Sequence, residues 1–268
     1  MTAAPHAITS RDNTLLKRLR LLAHDSTAYR KLGQVWLEGD HLCRGLLARG
    51  LRPATAVFTE TFWPQAPHDL RDAADHVVTV PDALMAGISG LESPAGVGFV
   101  WDLPVAAAVQ GGIATVVLDR LQDAGNVGSI LRSAAAFGFG QVLALKGTAA
   151  LWSPKVVRSG MGAHFGLRLV ESLSPDALAA LDVPLIVTSS HRGDWLHEAR
   201  LPWPCAWVLG HEGQGVSAAL EALASNAVRI AQPGGEESLN VAAAAAICLH
   251  ASGAQQSELG RSGRRQTL

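Results

Sequence analysis

A helical period runs over Asn13 to Ala23. Leu15, Leu16, Leu19 and Leu22 fall toward one side, and Lys17, Arg18 and Arg20 form a basic side. Strand-length apolar runs follow at Gln34 to Leu37, Ala54 to Thr59, His76 to Val80 and Gly96 to Trp101. Between them the pattern predicts a helix over Asp40 to Arg49, stopped by Gly50 and Pro53, and a short one over Asp82 to Gly87. The stretch Asp102 to Gly112, with Pro104, an Ala run and paired glycines, reads as a linker. A small α/β domain is therefore expected over residues 1–104.

Beyond the linker the pattern changes. Ile113 to Leu118 is a continuous apolar run followed by a loop and a helix from about Val127 to Phe137. Further runs at Gln141–Leu145, Leu167–Val170, Leu185–Thr188, Ala206–Leu209 and Val228–Ile230 are separated mostly by helical stretches, and Leu239 to His250 closes the set. Unbroken apolar strands alternating with helices predict an α/β fold with a mostly parallel sheet covered on both faces, here over residues 105–251. The polar, Gly/Ser/Arg-rich residues 252–268 read as a flexible tail.

Apolar residues make up 48% of the 268 positions, enough for a packed core and too many for a disordered chain. Cys43, Cys205 and Cys248 stand far apart, which argues against a disulfide framework or a metal site and for a reducing, cytoplasmic setting. No apolar core of a signal peptide stands near the N-terminus, and the longest apolar stretch, Val241 to Leu249, is too short to cross a bilayer. The formal net charge is only −1, yet residues 1–55 hold 9 Lys/Arg against 4 Asp/Glu, and residues 56–104 hold 1 against 7. A local basic block attracts polyanions over roughly 10 Å at 0.1 M salt, whatever the total. An ordinary solvated helix face would carry the same charges.

Three loops in the second half concentrate small and polar residues. The first runs from Asp119 through Asn126 and Gly128 into the helix carrying Arg132, with Asn126 as the expected N-cap. The second is Gly210-His211-Glu212-Gly213-Gln214-Gly215, whose glycine spacing is not that of a dinucleotide fingerprint. The third is Gln232-Pro233-Gly234-Gly235-Glu236-Glu237-Ser238-Leu239-Asn240 before an Ala-rich helix. Each has a bland reading: a surface salt bridge from Arg132 to Asp119 or Asp123, an ordinary tight turn, and a helix cap from Ser238 or Asn240.

Taken in order, N-x-G-x-x-x-R, G-x-E-G-x-G and S-L-N-V resemble the SpoU (TrmH) family of RNA 2′-O-ribose methyltransferases over residues 113–250. In the first part, Ile8-Thr9-Ser10, Asn13, Lys17, Tyr29-Arg30, Glu38-Gly39 and Ser93 to Val97 resemble the substrate-binding domain of many members, similar in fold to ribosomal protein L30e. Two positions depart from the family pattern: Ala231-Gln232 stands where Pro-Met is common, and Gly160 where Ser is more usual.

The resemblance implies an α/β-knot, a deep trefoil that topology rules treat as a rare exception. It also implies a homodimer, S-adenosyl-L-methionine as cofactor, no metal, and methylation of a ribose 2′-OH. Large-subunit (23S) ribosomal RNA is favoured as substrate over transfer RNA. By the same resemblance Arg132 is the catalytic residue, with Asn126, Glu212, Ser238 and Asn240 around it. A guanidinium is a poor base, so a fixed cation beside the nascent alkoxide is its physical role. Cofactor contacts fall to Thr188, Leu209, Gly210, Glu212, Gly213, Ile230, Gln232, Ser238 and Leu239. Phosphate contacts fall to Lys17, Arg18, Arg20, Arg30 and Lys31. A non-catalytic RNA-binding factor and a nucleotide-dependent oxidoreductase are the rival readings.

Overall fold

The computed structural model describes residues 5–189, 192–234 and 238–265, with side chains as far as 257. In chain order the strands are β1 (His6–Ala7), β2 (Gln34–Glu38), β3 (Thr55–Thr59), β4 (Val77–Val80), β5 (Val97–Asp102), β6 (Thr115–Leu118), β7 (Gln141–Leu145), β8 (Arg168–Leu173), β9 (Leu185–Thr188), β10 (Asp194–Trp195), β11 (Ala206–Leu209) and β12 (Asn226–Arg229). The helices are α1 (Thr14–His24), α2 (Ala28–Leu32), α3 (Asp40–Leu47), α4 (His68–Arg71), α5 (Asp82–Ala86), α6 (Ala124–Ala136), α7 (Pro154–Gly160), α8 (Ala218–Leu223) and α9 (Val241–Arg265). The chain divides into two compact units. One runs to Val105 and includes Trp152–Phe165; the other comprises Ala106–Leu151 and the chain from Gly166 onward.

The first unit is built on a five-stranded mixed sheet of order β1-β4-β3-β5-β2. Helix α1 starts where its pattern says it should: the Asn13 side chain accepts a hydrogen bond from the Leu15 amide, and Leu16, Leu19 and Leu22 are buried. The stretch Trp152–Phe165 lies with this unit, against the expectation that residues 105–251 form one domain. The cause is aromatic packing: the rings of Trp152 and Phe165 each stand 5.6 Å from Trp101, and Arg158 donates to the Gly90 carbonyl at 2.9 Å. Such pairs contribute beyond their buried area.

Gly160 ends α7, and a Cβ there would overlap the buried His164 ring, which packs 4.9 Å from Trp152. A serine at this position would meet that ring.

The second unit holds seven parallel strands in the order β10-β12-β9-β11-β6-β7-β8. The chain lays down β6, β7 and β8 in one direction, then returns to the far side with β9. It inserts β11 between β9 and β6, and β12 between β9 and β10. Every residue of β6, β7 and β11 is buried, which explains why they are apolar apart from Thr115 and Gln141 at the strand starts. Adjacency of β6 and β11 is what matters for function, because it places the loops at their carboxyl ends side by side.

The expected tail is corrected for residues 252–265, which continue α9; residues 266–268 lie outside the described residues. Ser252 is buried and accepts a hydrogen bond from the Trp207 indole at 2.9 Å. Gln255 accepts from the Leu201 amide at 3.1 Å and donates to the Ala199 carbonyl at 3.0 Å. At Gly253 a Cβ would stand 2.9 Å from the Phe137 carbonyl, so the small residues that read as part of a tail serve close helix packing.

Gly160→Ser should lower unfolding stability by about 1–3 kcal/mol through overpacking. Placed in a His164→Ala background, the same change should cost less than half as much. Urea denaturation of the two single variants and the double variant measures the difference.

Candidate active site

The site begins with Asp119, the first residue after β6. Its carboxylate is buried, accepts from the Ser217 amide at 2.7 Å and pairs with Arg120 at 2.9 Å. Burial alone would raise its pKa; the bonds from Arg120 and Ser217 outweigh that and hold it below the ordinary aspartate value. Arg120 adopts a left-handed backbone conformation, φ 61°, and its amide donates to the Thr148 hydroxyl. Its guanidinium also reaches the Gln214 side chain at 3.0 Å. Asp119, Arg120 and Gln214 therefore tie the loop after β6 to the loop after β11.

Gly210 follows β11, and a Cβ there would overlap the backbone of Gly215 and Val216. Only glycine lets this loop fold back on itself, a closure completed by the Gly215 amide donating to the His211 carbonyl at 2.8 Å. From this closed loop Glu212 reaches back to the first loop. Its carboxylate accepts from the amides of Gln122 (3.4 Å) and Asp123 (3.3 Å) and from the Asn126 side-chain amide (3.3 Å). Partial burial pushes its pKa up, yet these donors prevail and it lies below the ordinary glutamate value.

Asn126 is not the N-cap of α6. Asp123 is, accepting from the Asn126 amide at 2.8 Å, and Asn126 stands inside the first turn. That leaves its side chain to bridge Glu212 and Asn240, whose amide donates to the Asn126 carbonyl oxygen at 3.0 Å. Asn240 also caps α9, accepting from the amides of Ala242 and Ala243. One continuous chain, Glu212–Asn126–Asn240, thus joins all three loops.

Arg132 lies elsewhere on α6, about 9 Å along the axis from Asn126. It is exposed and makes no hydrogen bond or ion pair among the described residues, so the salt bridge to Asp119 or Asp123 is not formed. Ser238 and Leu239 are exposed, while Gly235–Glu237 of the same loop lie outside the described residues. Thr188 and Leu209 end β9 and β11, and Ile230 directly follows β12; these three strands are neighbours in the sheet. Gln232 is half-buried, and its side-chain oxygen has no hydrogen-bond partner among the described residues. Gly213 donates its amide to His211 Nδ1 at 3.0 Å.

In open parallel sheets ligands gather outside the carboxyl ends of strands, where the strand order changes direction. The β6/β11 boundary is such a point. Residues 114–250 match the SpoU rRNA Methylase family. The chain belongs to that family. Over 96% of its length this SpoU protein is 33% identical to a tRNA/rRNA methyltransferase of Synechocystis, described as uncharacterized, and spans 96% of it. It is 31% identical to RlmP, the 23S rRNA (guanosine(2553)-2'-O)-methyltransferase of Bacillus subtilis, over 91% of this chain and 97% of that one. A structure of an rRNA methyltransferase from Sinorhizobium meliloti with S-adenosylmethionine bound is 25% identical, with a TM-score of 0.78, covering 91% and 96% of the two chains. The second unit has the α/β-knot fold of SpoU proteins.

Among the described residues no cluster of three or more His, Cys, Asp or Glu could hold a metal, and no helix is long and apolar enough to cross a membrane. Sequence reasoning missed Asp119, Arg120, Thr148 and Gln214 as struts of the site. The available signal was an acid directly after a wholly buried strand.

Of the five residues assigned to phosphate contacts, Lys17 lies 3.3 Å from Asp12, and Arg20 donates to the Arg11 carbonyl. Arg30 donates to the Tyr29 hydroxyl, Lys31 is exposed, and the buried Arg18 Nε has no partner among the described residues.

Both carboxylates have lowered folded-state values, so each contributes stability that is present above its unfolded value, 4.5 for glutamate and 3.8 for aspartate, and is lost as pH falls through the lower folded value. The melting temperature should hold steady from pH 7 to 5 and drop below about pH 4. Asp119→Asn should start lower and show a shallower acid limb in the same scan.

Proposed function

We propose that this protein transfers a methyl group from S-adenosylmethionine to a ribose 2′-OH of ribosomal RNA, in the cytoplasm and as a homodimer. The observation carrying this reading is the Glu212–Asn126–Asn240 chain, which welds the three motif loops into one structure at the switch point of the sheet. The similarity to RlmP favours large-subunit RNA.

The residues present fit the cofactor. Three adjacent strand ends, at Thr188, Leu209 and Ile230, offer backbone groups along one edge, and the unpartnered oxygen of Gln232 is an acceptor suited to an amino group. Gly210, Glu212 and Gly213 shape the wall, with Ser238 and Leu239 opposite in sequence. When bound, S-adenosylmethionine supplies an activated methyl; the protein supplies position and charge.

The chain's own task is to make a weakly acidic hydroxyl attack. Arg132, a permanent cation with no competing carboxylate among the described residues, stabilises negative charge as it develops on the ribose oxygen. Asn126 holds the start of α6 against Glu212 and so fixes the helix on which Arg132 is carried. Asn240 locks the third loop to the same point, with Ser238 next to it for substrate contact.

The first unit, with its α/β architecture and basic residues Lys17, Arg18, Arg20, Arg30 and Lys31, is read as an L30e-like RNA-binding module. Its contacts are to phosphates and to RNA shape. For the dimer, α9 leaves Ile247 exposed at 41% beside an Ala-rich stretch that permits close packing.

Arg132→Ala should reduce methyl transfer more than a hundredfold, about 2.7 kcal/mol, while calorimetry shows S-adenosylmethionine affinity nearly unchanged. Retention of over a tenth of wild-type turnover would remove Arg132 from the mechanism.

Because Trp152–Phe165 packs with the first unit, substitution is a cleaner test of RNA binding than truncation. Arg20→Glu with Lys31→Glu should weaken RNA binding and flatten its salt dependence, since fewer counterions are released. Equal affinity and slope would remove these residues from the interface.

A further inference from the structure

Trp195 is the one exposed tryptophan of the seven, with 38% of its surface open, whereas Trp207 in the same sheet is fully buried. It sits on β10, the edge strand, directly opposite Arg229 of β12. The Arg229 guanidinium lies 4.1 Å from the indole centroid, and the His197 ring is stacked 6.4 Å away at 30°.

Arg229 donates its Nε to the Gly193 carbonyl, which fixes the guanidinium in place. Its terminal nitrogens make no hydrogen bond, and no carboxylate pairs with it, among the described residues. The nearby Glu198 lies 3.7 Å from His197, and Arg192 is paired with Glu221. A flat ring, 38% exposed, and a positioned cation are therefore presented together at the sheet edge.

Their place in the sheet gives them a role. Val228 is in register with Thr188, Val187 with Val208, and Leu209 with Leu118. Continued by one residue, the register aligns Trp195 and Arg229 with Ser189, Gly210 and Asp119. This is one rung along the carboxyl edge where the motif loops lie. Trp195 is four strand spacings from Asp119, about 19 Å at ~4.8 Å each. An extended strand of RNA whose target ribose reaches the loops after β6 would pass this point within a few nucleotides.

We propose that Trp195 and Arg229 form a stacking platform for an unpaired nucleobase flanking the methylated nucleotide of the RNA substrate. The proposal rests on the methyltransferase reading for its substrate class and adds a binding site within the second unit itself. Indole and guanidinium planes are the surfaces on which single-stranded bases stack, with little dependence on sequence. The platform would hold the strand extended across the edge, so that the target ribose enters unpaired.

The test uses the full-length protein and a fluorescein-labelled single-stranded RNA of mixed sequence, about 20 nucleotides long, followed by anisotropy. Trp195→Ala should weaken binding roughly tenfold or more, the range expected for loss of one stacked base. Trp195→Phe, which keeps a ring, should stay within about threefold of wild type. Calorimetric affinity for S-adenosylmethionine should be unchanged in both.

Equal RNA binding by Trp195→Ala and wild type overturns the platform. So does a parallel loss of S-adenosylmethionine affinity, which would make Trp195 a wall of the cofactor site, or loss of binding in Trp195→Phe equal to that in Trp195→Ala. Failure of the wild type to transfer tritiated methyl groups to total RNA, with the stacking result intact, would instead overturn the methyltransferase reading alone.

Discussion

A carboxylate on one loop accepts hydrogen bonds from the loop beside it, and the rest of the site depends on that reach. Glu212 follows β11, and its three donors belong to the segment after β6. The reach exists because β11 is inserted beside β6 after the chain has already built the opposite side of the sheet. Asp119 makes the same connection from the other direction through Ser217. Two anions, each bonded across from one loop to the other, fix the start of α6. Through that helix they fix everything it carries.

The first motif shows how much of this was legible in the sequence. Asn126, Glu212 and Asn240 stand far apart along the chain, yet the motifs that resemble the SpoU family marked them. The structure then links them by side-chain bonds. What the sequence could not say was which end of each side chain does what. Asn126 looked like a helix cap because amides commonly cap helices, but Asp123, three residues earlier, already fills that role. Displaced from the cap, Asn126 is free to bridge, and that outcome depends on β11 being adjacent to β6. Local pattern carries no such information.

The misread segments have a common cause. Trp152–Phe165 lies among second-unit residues in sequence but carries two aromatic rings that pack on Trp101. The polar end of α9 looked like a tail because Gly and Ser weaken helices on average. Here Ser252 meets a buried indole and Gly253 lies close to a carbonyl, so tertiary partners override propensity. Gly160 is constrained in a similar way, since the His164 ring occupies the space that a side chain would need. In each case the deciding neighbour is invisible to a window of local sequence. Boundaries of β9 and β11 were legible because those strands are buried throughout or nearly so, and burial leaves an unbroken apolar run.

Under the proposed mechanism, two arginines divide structural from chemical work. Arg120 is held by Asp119 and Gln214, its backbone in a left-handed conformation, and its charge is neutralised by a buried partner. A cation so placed can brace a loop, but its attraction for new negative charge is already screened by the carboxylate beside it. Arg132 is the opposite case: exposed, on a helix anchored at its other end, with no partner among the described residues. Stabilising an alkoxide requires a positive charge that the fold has not already satisfied, on a support that does not move as charge develops. Swapping the two roles would fail on both counts, because Arg120 could leave Asp119 only by stripping a buried carboxylate of its ion pair. Glu212, set against the start of α6 by the sheet order, takes its donors from Gln122, Asp123 and Asn126 and leaves Arg132 unbonded among the described residues.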